Sequence, residues 1–204
     1  MSAFLDRWLA LADRLSVYAV RAAGLLILSS AMLISYDVLV RKFLNITIGG
    51  ADELAGYAFA VGTSWALAFT LLRRANVRVD ALYSRLPRRV CAFLDLLGLV
   101  CLLIFVGYLT WRAALVLQDS LLFSTRATTP LATPLWIPQS MWLAGFSLFL
   151  FAIVPLILAV IQALVTGDYA RVSRLAGART TEEDAADEKE QAIRLANLKT
   201  IEER

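Results

Sequence analysis

The sequence predicts an all-α integral membrane protein with four transmembrane helices plus interfacial amphipathic helices, in an N-in/C-in arrangement. Three observations carry this. The 204-residue chain is 59% hydrophobic, with a mean hydropathy of +0.67, whereas soluble domains average about 45–50% apolar even when glycine is counted. Four runs, at about 15–36, 54–72, 90–111 and 141–165, match the roughly 20 apolar residues that a helix needs to cross hydrocarbon. The basic residues, finally, fall on alternate sides of these runs. Arg7, Arg14, Arg21, six arginines within 73–89, and Arg171, Arg174 and Arg179 flank one side, against Arg41, Lys42, Arg126 and Arg112 on the other. The positive-inside rule places the first set in the cytoplasm, and both termini with it.

The domain plan is an N-terminal segment 1–14, a transmembrane domain 15–165 and a charged cytoplasmic tail 166–204. In the first segment Phe4, Leu5, Trp8, Leu11, Ala12 and Leu15 share an arc of roughly 120° at about 100° per residue. Asp6, Arg7, Asp13 and Arg14 face the other way. Two readings fit: a helix lying in the head-group plane with Trp8 as an anchor, or simply the beginning of the first span. Asp6 and Asp13 interrupt any leader-like run and no cleavage site ends it, so the first span is expected to stay as an anchor.

Arg21 lies close enough to the inner end of the first span to snorkel its guanidinium to the surface. Beyond that span, Asp37 and Arg41 form an i,i+4 pair that extends the helix into the outer interface, and Gly49-Gly50 break it. Asp52 and Glu53 open the second span. They suit its N-terminus, where carboxylates cap free N–H groups and oppose the positive end of the dipole. Pairing of Glu53 with Arg41 or Lys42 is the alternative. Ala55, Gly56, Ala60, Gly62 and Ser64 are small residues along this span, suited either to a partner helix or to the internal bundle.

The stretch from Arg73 to Arg89 holds six arginines and reads as a short helix on the inner surface, stopped by Pro87 before the third span. Arg73, Arg74, Arg88 and Arg89 are its interface anchors, and Arg112 and Trp142 are anchors on the outer side. Asp95 is expected near the inner end of the third span, within reach of water or of Arg88 and Arg89. Residues 118–140 form the longest outer connection, an extended segment with three prolines, anchored by Trp136 and Trp142. The fourth span carries Pro155, expected to kink it, and Gly167 ends it. In the tail, Thr180 and Glu183 have capping-box spacing; a solvated helix or a disordered tail fits equally.

Chemistry is sparse. The chain has no histidine, so it supplies no histidine ligand for a membrane haem and no imidazole base. Cys91 and Cys101 are separated by about 15 Å along one helix, beyond disulfide reach. No phosphate loop, metal-spaced cluster or nucleophile–base arrangement is present, and no carboxylate lies at the middle of a span, where ion-coupled transporters need one. No catalytic, cofactor or metal residue is expected. Although the pI is about 9.1, the arginines border spans, which fits phospholipid head groups and not nucleic acid. The chain reads as a partner protein.

The ordered set of Arg41-Lys-Phe-Leu-Asn45, Asp52-Glu53-Leu54, Trp65, Arg74-Ala-Asn-Val-Arg-Val-Asp80, Leu86-Pro87 and Thr133-Pro-Leu-Trp-Ile-Pro-Gln139 resembles the small four-span (DctQ-like) membrane subunit of tripartite ATP-independent periplasmic (TRAP) transporters. The likeness covers roughly residues 10–165. It marks Arg41, Asp52, Glu53, Trp65, Asn76, Val79, Asp80, Pro87, Trp136 and Pro138 as family-signature positions. The family usually has histidine where this chain has Asn76.

The resemblance implies an accessory subunit of a sodium-coupled, binding-protein-dependent importer of organic acids. Its expected partners are a large multi-span membrane subunit that moves substrate and sodium as an elevator, a periplasmic solute-binding protein that its outer surface helps dock, and phospholipids. The expected location is the bacterial inner membrane. The alternative is an independent small four-span transporter acting as a homo-oligomer, and it lacks the deep charge such a protein would use.

Overall fold

The computed structural model describes residues 2–47, 49–75 and 86–177, with the isolated positions 189 and 193 beyond them. These residues form α1 (Ser2–Leu44), α2 (Ala51–Leu72), α3 (Arg88–Leu122), α4 (Trp136–Val165) and α5 (Tyr169–Ala176). The first four are each long and apolar enough to cross a membrane. The surface helix expected within 73–89 falls mostly on 76–85, outside the described residues, and so does the Thr180–Glu183 segment of the tail.

Each long helix extends beyond its apolar run, because the polar residues at the ends of the runs are good helix formers and nothing stops the helix until a residue needs positive φ. α1 continues through the Asp37–Arg41 pair for 43 residues, about 65 Å. It stops where Asn45 takes φ 54°, the left-handed conformation that asparagine tolerates. Residues 4–15 are thus the first turns of one unbroken helix. Gly50, with φ 103°, precedes α2, and Gly167, with φ 73°, follows α4. α4 runs on through the buried Pro155.

The main packing runs in the order α1, α2, α4, α3, and the row is folded, since α1 also packs directly on α4. α4 is the hub: it touches α1, α2, α3 and α5, and its Ala152, Ile153, Ala159 and Val160 are wholly buried. Two glycines set the spacing in the row. A Cβ on Gly145 of α4 would sit 2.7 Å from the Ser64 carbonyl carbon and 2.7 Å from Trp65 Cδ1 of α2. A Cβ on Gly62 would sit 2.7 Å from Ile27 Cδ1 of α1. Close approach of this kind maximises dispersion contact where no hydrophobic effect drives helix association. Gly62 and Ser64 therefore serve the internal row, while Gly56 faces outward.

α2 has 22 residues and α4 has 30, and they run parallel, with Ala68 beside Ala152 in one small cluster that also holds Ala12. The last turns of α4 therefore extend beyond the end of α2. α5 folds back into that step. Asp168 caps it by accepting from the Arg171 amide at 2.9 Å, and Val172 and Ala176 join the core with Leu71 and Ala92. The beginning of the charged tail is thus a docked helix. Asp95, three residues after Ala92, is buried here and not open to water.

Candidate functional site

Polar contacts collect at the two ends of the row. At the α1–α2 turn, Asp37 is 2% exposed; it pairs with Arg41 and accepts from Thr47 Oγ1 at 3.2 Å. Arg41 is thereby committed within its own helix and not to Glu53. Glu53 accepts from the Tyr57 hydroxyl at 2.8 Å and from the Thr129 hydroxyl of the distant α3–α4 connection. The N-cap position of α2 is Gly50, with no side-chain cap. Glu53 thus ties down a loop, whereas Asp52 is exposed beside it.

That connection is shorter and more ordered than the expected 118–140 segment, since α3 persists to Leu122 and α4 begins at Trp136. Between them the chain doubles back through an isolated antiparallel bridge, Arg126 with Pro134, and Ala127 N donates to Thr133 O at 3.0 Å. Its tip covers the double glycine: Pro130 Cβ lies 3.5 Å from where a Gly49 Cβ would be, and Leu131 packs directly on Gly50. Gly49-Gly50 therefore both break the helix and leave room for the loop. The adjacent glycines were the signal for this second role.

Inside the row, Trp65 Nε1 donates to Met141 O at 2.8 Å. Trp136 opens α4 partly exposed. Pro138 lies in its first turn, where a missing N–H costs nothing. Trp142, expected as an outer anchor, packs edge-to-face on Phe146 at 4.9 Å within the α3–α4 core. Arg112 is exposed on α3.

At the opposite end, Arg73 pairs with Asp13 at 3.2 Å and lies over the Phe69 ring. Arg74 donates to Ser173 O at 3.3 Å. Arg89 lies 5.9 Å from the Tyr169 ring, and Arg171 pairs with Asp6 at 3.4 Å. Pro87 precedes α3 and its carbonyl accepts from Val90 N at 2.9 Å; Arg88 begins the helix. Trp8 stacks between Phe4 and Phe151, at 5.9 and 5.6 Å. Asn76, Val79 and Asp80 lie outside the described residues.

Among the described residues no group of three or more His, Cys, Asp or Glu side chains converges on a metal-sized space. The arrangement is one of interlocks, with polar rims and an apolar waist, and its class is a multi-span membrane protein held together through its own helices. Compared with known families, residues 30–164 match the model described as tripartite ATP-independent periplasmic transporters, DctQ component. The chain belongs to that family and is its small membrane component. No curated protein matches significantly, and no solved structure does.

Proposed function

We propose that this chain is the scaffold subunit of a sodium-coupled, binding-protein-dependent importer of organic acids, packed against the large elevator subunit in the bacterial inner membrane. The observation that carries this is the row itself. A four-helix protein that worked alone would close its apolar faces on one another, whereas here α1 and α3 both pack on α4 and make no extensive contact with each other. α1 leaves Leu25, Met32 and Phe43 at 67, 65 and 73% exposure. Lipid tails solvate such a face, and so does another membrane subunit.

Both termini lie in the cytoplasm in this proposal, which the uneven distribution of arginine supports. The Glu53–Thr129 rim then faces the periplasm, where it helps receive the solute-binding protein. Recovery of the tagged chain in mild detergent tests the assignment: a large multi-span subunit should co-purify. The purified chain alone should move no carboxylate into liposomes. Uptake by the chain alone would favour an independent homo-oligomeric transporter.

A further inference from the structure

We propose that the edge of α5 facing α2 and α3 holds the head group of an anionic phospholipid, with Arg89, Arg174 and Ser173 as its contacts. α5 begins three residues after α4 ends, and Arg89 is the first residue of the membrane-length stretch of α3. This edge therefore lies where the helices leave the hydrocarbon, at the depth of lipid phosphates. α5 has eight residues. At about 100° per residue, Tyr169 and Ser173 share one edge of it, one turn apart, and Arg171 lies on the edge across from them.

The two edges treat their arginines differently. Toward α1 each guanidinium has a carboxylate: Arg171 pairs with Asp6 at 3.4 Å and Arg73 with Asp13 at 3.2 Å. On the other edge, Arg74 donates to Ser173 O at 3.3 Å, which brings a further positive charge to α5, and Arg89 lies 5.9 Å from the Tyr169 ring. Arg89 and Arg174 are both exposed, and neither pairs with a carboxylate among the described residues. The Ser173 hydroxyl beside them is exposed as well. Like charges gathered at one edge repel, and a phosphodiester relieves them by accepting charge-assisted bonds from the guanidiniums and a further bond from the hydroxyl. A choline or ethanolamine head group would bring another cation to the same edge, so a head group with net negative charge is selected. The acyl chain has a track: Val90, Phe93 and Leu97 follow Arg89 along α3 at helical spacing and are 40, 62 and 47% exposed.

The site lies within one chain, so its failure leaves the scaffold assignment untouched. The full chain is purified, stripped of lipid and offered equal POPG and POPC, and retained lipid is identified by native mass spectrometry. POPG should be retained over POPC by about thirtyfold, the combined pull of two interfacial arginines. Arg89→Gln combined with Arg174→Gln should bring the two lipids within about twofold of each other. Arg73→Gln combined with Arg171→Gln removes the same number of charges from the paired arginines and should leave the preference nearly intact. Equal loss in the two double variants would overturn the proposal, because the preference would then follow net charge and not this edge. Equal retention of the two lipids by the native chain would overturn it too, as would displacement of POPG by excess inorganic phosphate, which has no acyl chain to seat. Cross-linking of an Arg174→Cys variant to the large subunit in native membranes would also overturn it, since protein would then cover the edge.

Discussion

Trp65 of α2 donates its indole N–H to the Met141 carbonyl of α4 at 2.8 Å, at the level where Gly145 lets the two backbones meet. The bond and the close approach depend on each other. Only a residue without a Cβ at position 145 lets the Trp65 ring pass this close to α4, with 2.7 Å between Trp65 Cδ1 and the position a Cβ would take. Substituting Gly145→Val should therefore cost about 1–3 kcal/mol through overpacking. Trp65→Phe, which keeps the ring and loses the donor, should cost only about 0.5–1.5 kcal/mol. Thermal unfolding in detergent ranks the two, and an equal or inverted order would contradict this account of the α2–α4 seam.

The outer connection should loosen when its latch is removed. Glu53→Ala and Thr129→Val each break the bond to the α3–α4 loop, so protease cleavage within 123–135 should speed up in either variant. The double variant should be cleaved no faster than the worse single one, because both substitutions remove the same interaction. Additive acceleration would mean that the two residues act separately.

Docking of α5 rests on Val172, which is wholly buried. Val172→Ala should weaken the seating of this helix by about 1–3 kcal/mol and expose Arg171 and Arg174 to trypsin. Ser173→Ala, at an exposed neighbouring side chain, should leave cleavage at those arginines unchanged. Equal sensitivity in the two variants would place the anchoring elsewhere.

The Arg73–Asp13 pair should contribute little by comparison. Both side chains are more than two-fifths exposed, and pairs of this kind are worth about 0.2–1 kcal/mol and fade with salt. Arg73→Gln should shift the unfolding midpoint slightly at low ionic strength and not at all at high. A large, salt-independent loss would show that Arg73 acts chiefly through its contact with Phe69.

Orientation is checked by reporter fusion. A phosphatase or fluorescent reporter placed within 76–85 should report cytoplasm, as the arginine distribution requires. A periplasmic signal would invert both rims of the molecule.

The number of spans and their order were legible because hydrocarbon imposes a strong, local and additive demand on about 20 consecutive residues. The Asp37–Arg41 pair was legible too, since i,i+4 neighbours meet on any helix. Glu53 was not. Its partner, Thr129, is 76 residues away, and nothing near Glu53 distinguishes a carboxylate that ties down a loop from one that opposes a dipole. The contact of Trp142 with Phe146 was not legible either: tryptophan suits both an interface and a core, and its packing there depends on the position of α3. Residues 169–176 read as charged tail because of their arginines, yet Tyr169, Val172, Leu175 and Ala176 recur at helical spacing on one face and all pack on the core, so this amphipathic helix was legible in the sequence.

The sequence alone determined that this chain spans a membrane four times and which runs do so, because both follow from local composition and chain geometry. It also carried the ordered signature of the DctQ family. Only the tertiary structure decided that the other helices pack around α4 as a hub, that Gly62 and Gly145 set the spacing of α1, α2 and α4, and that α5 fills the step beyond α2. Those outcomes depend on contacts between residues far apart in the chain, and apolar side chains in a membrane do not specify their partners until shape and backbone approach select them.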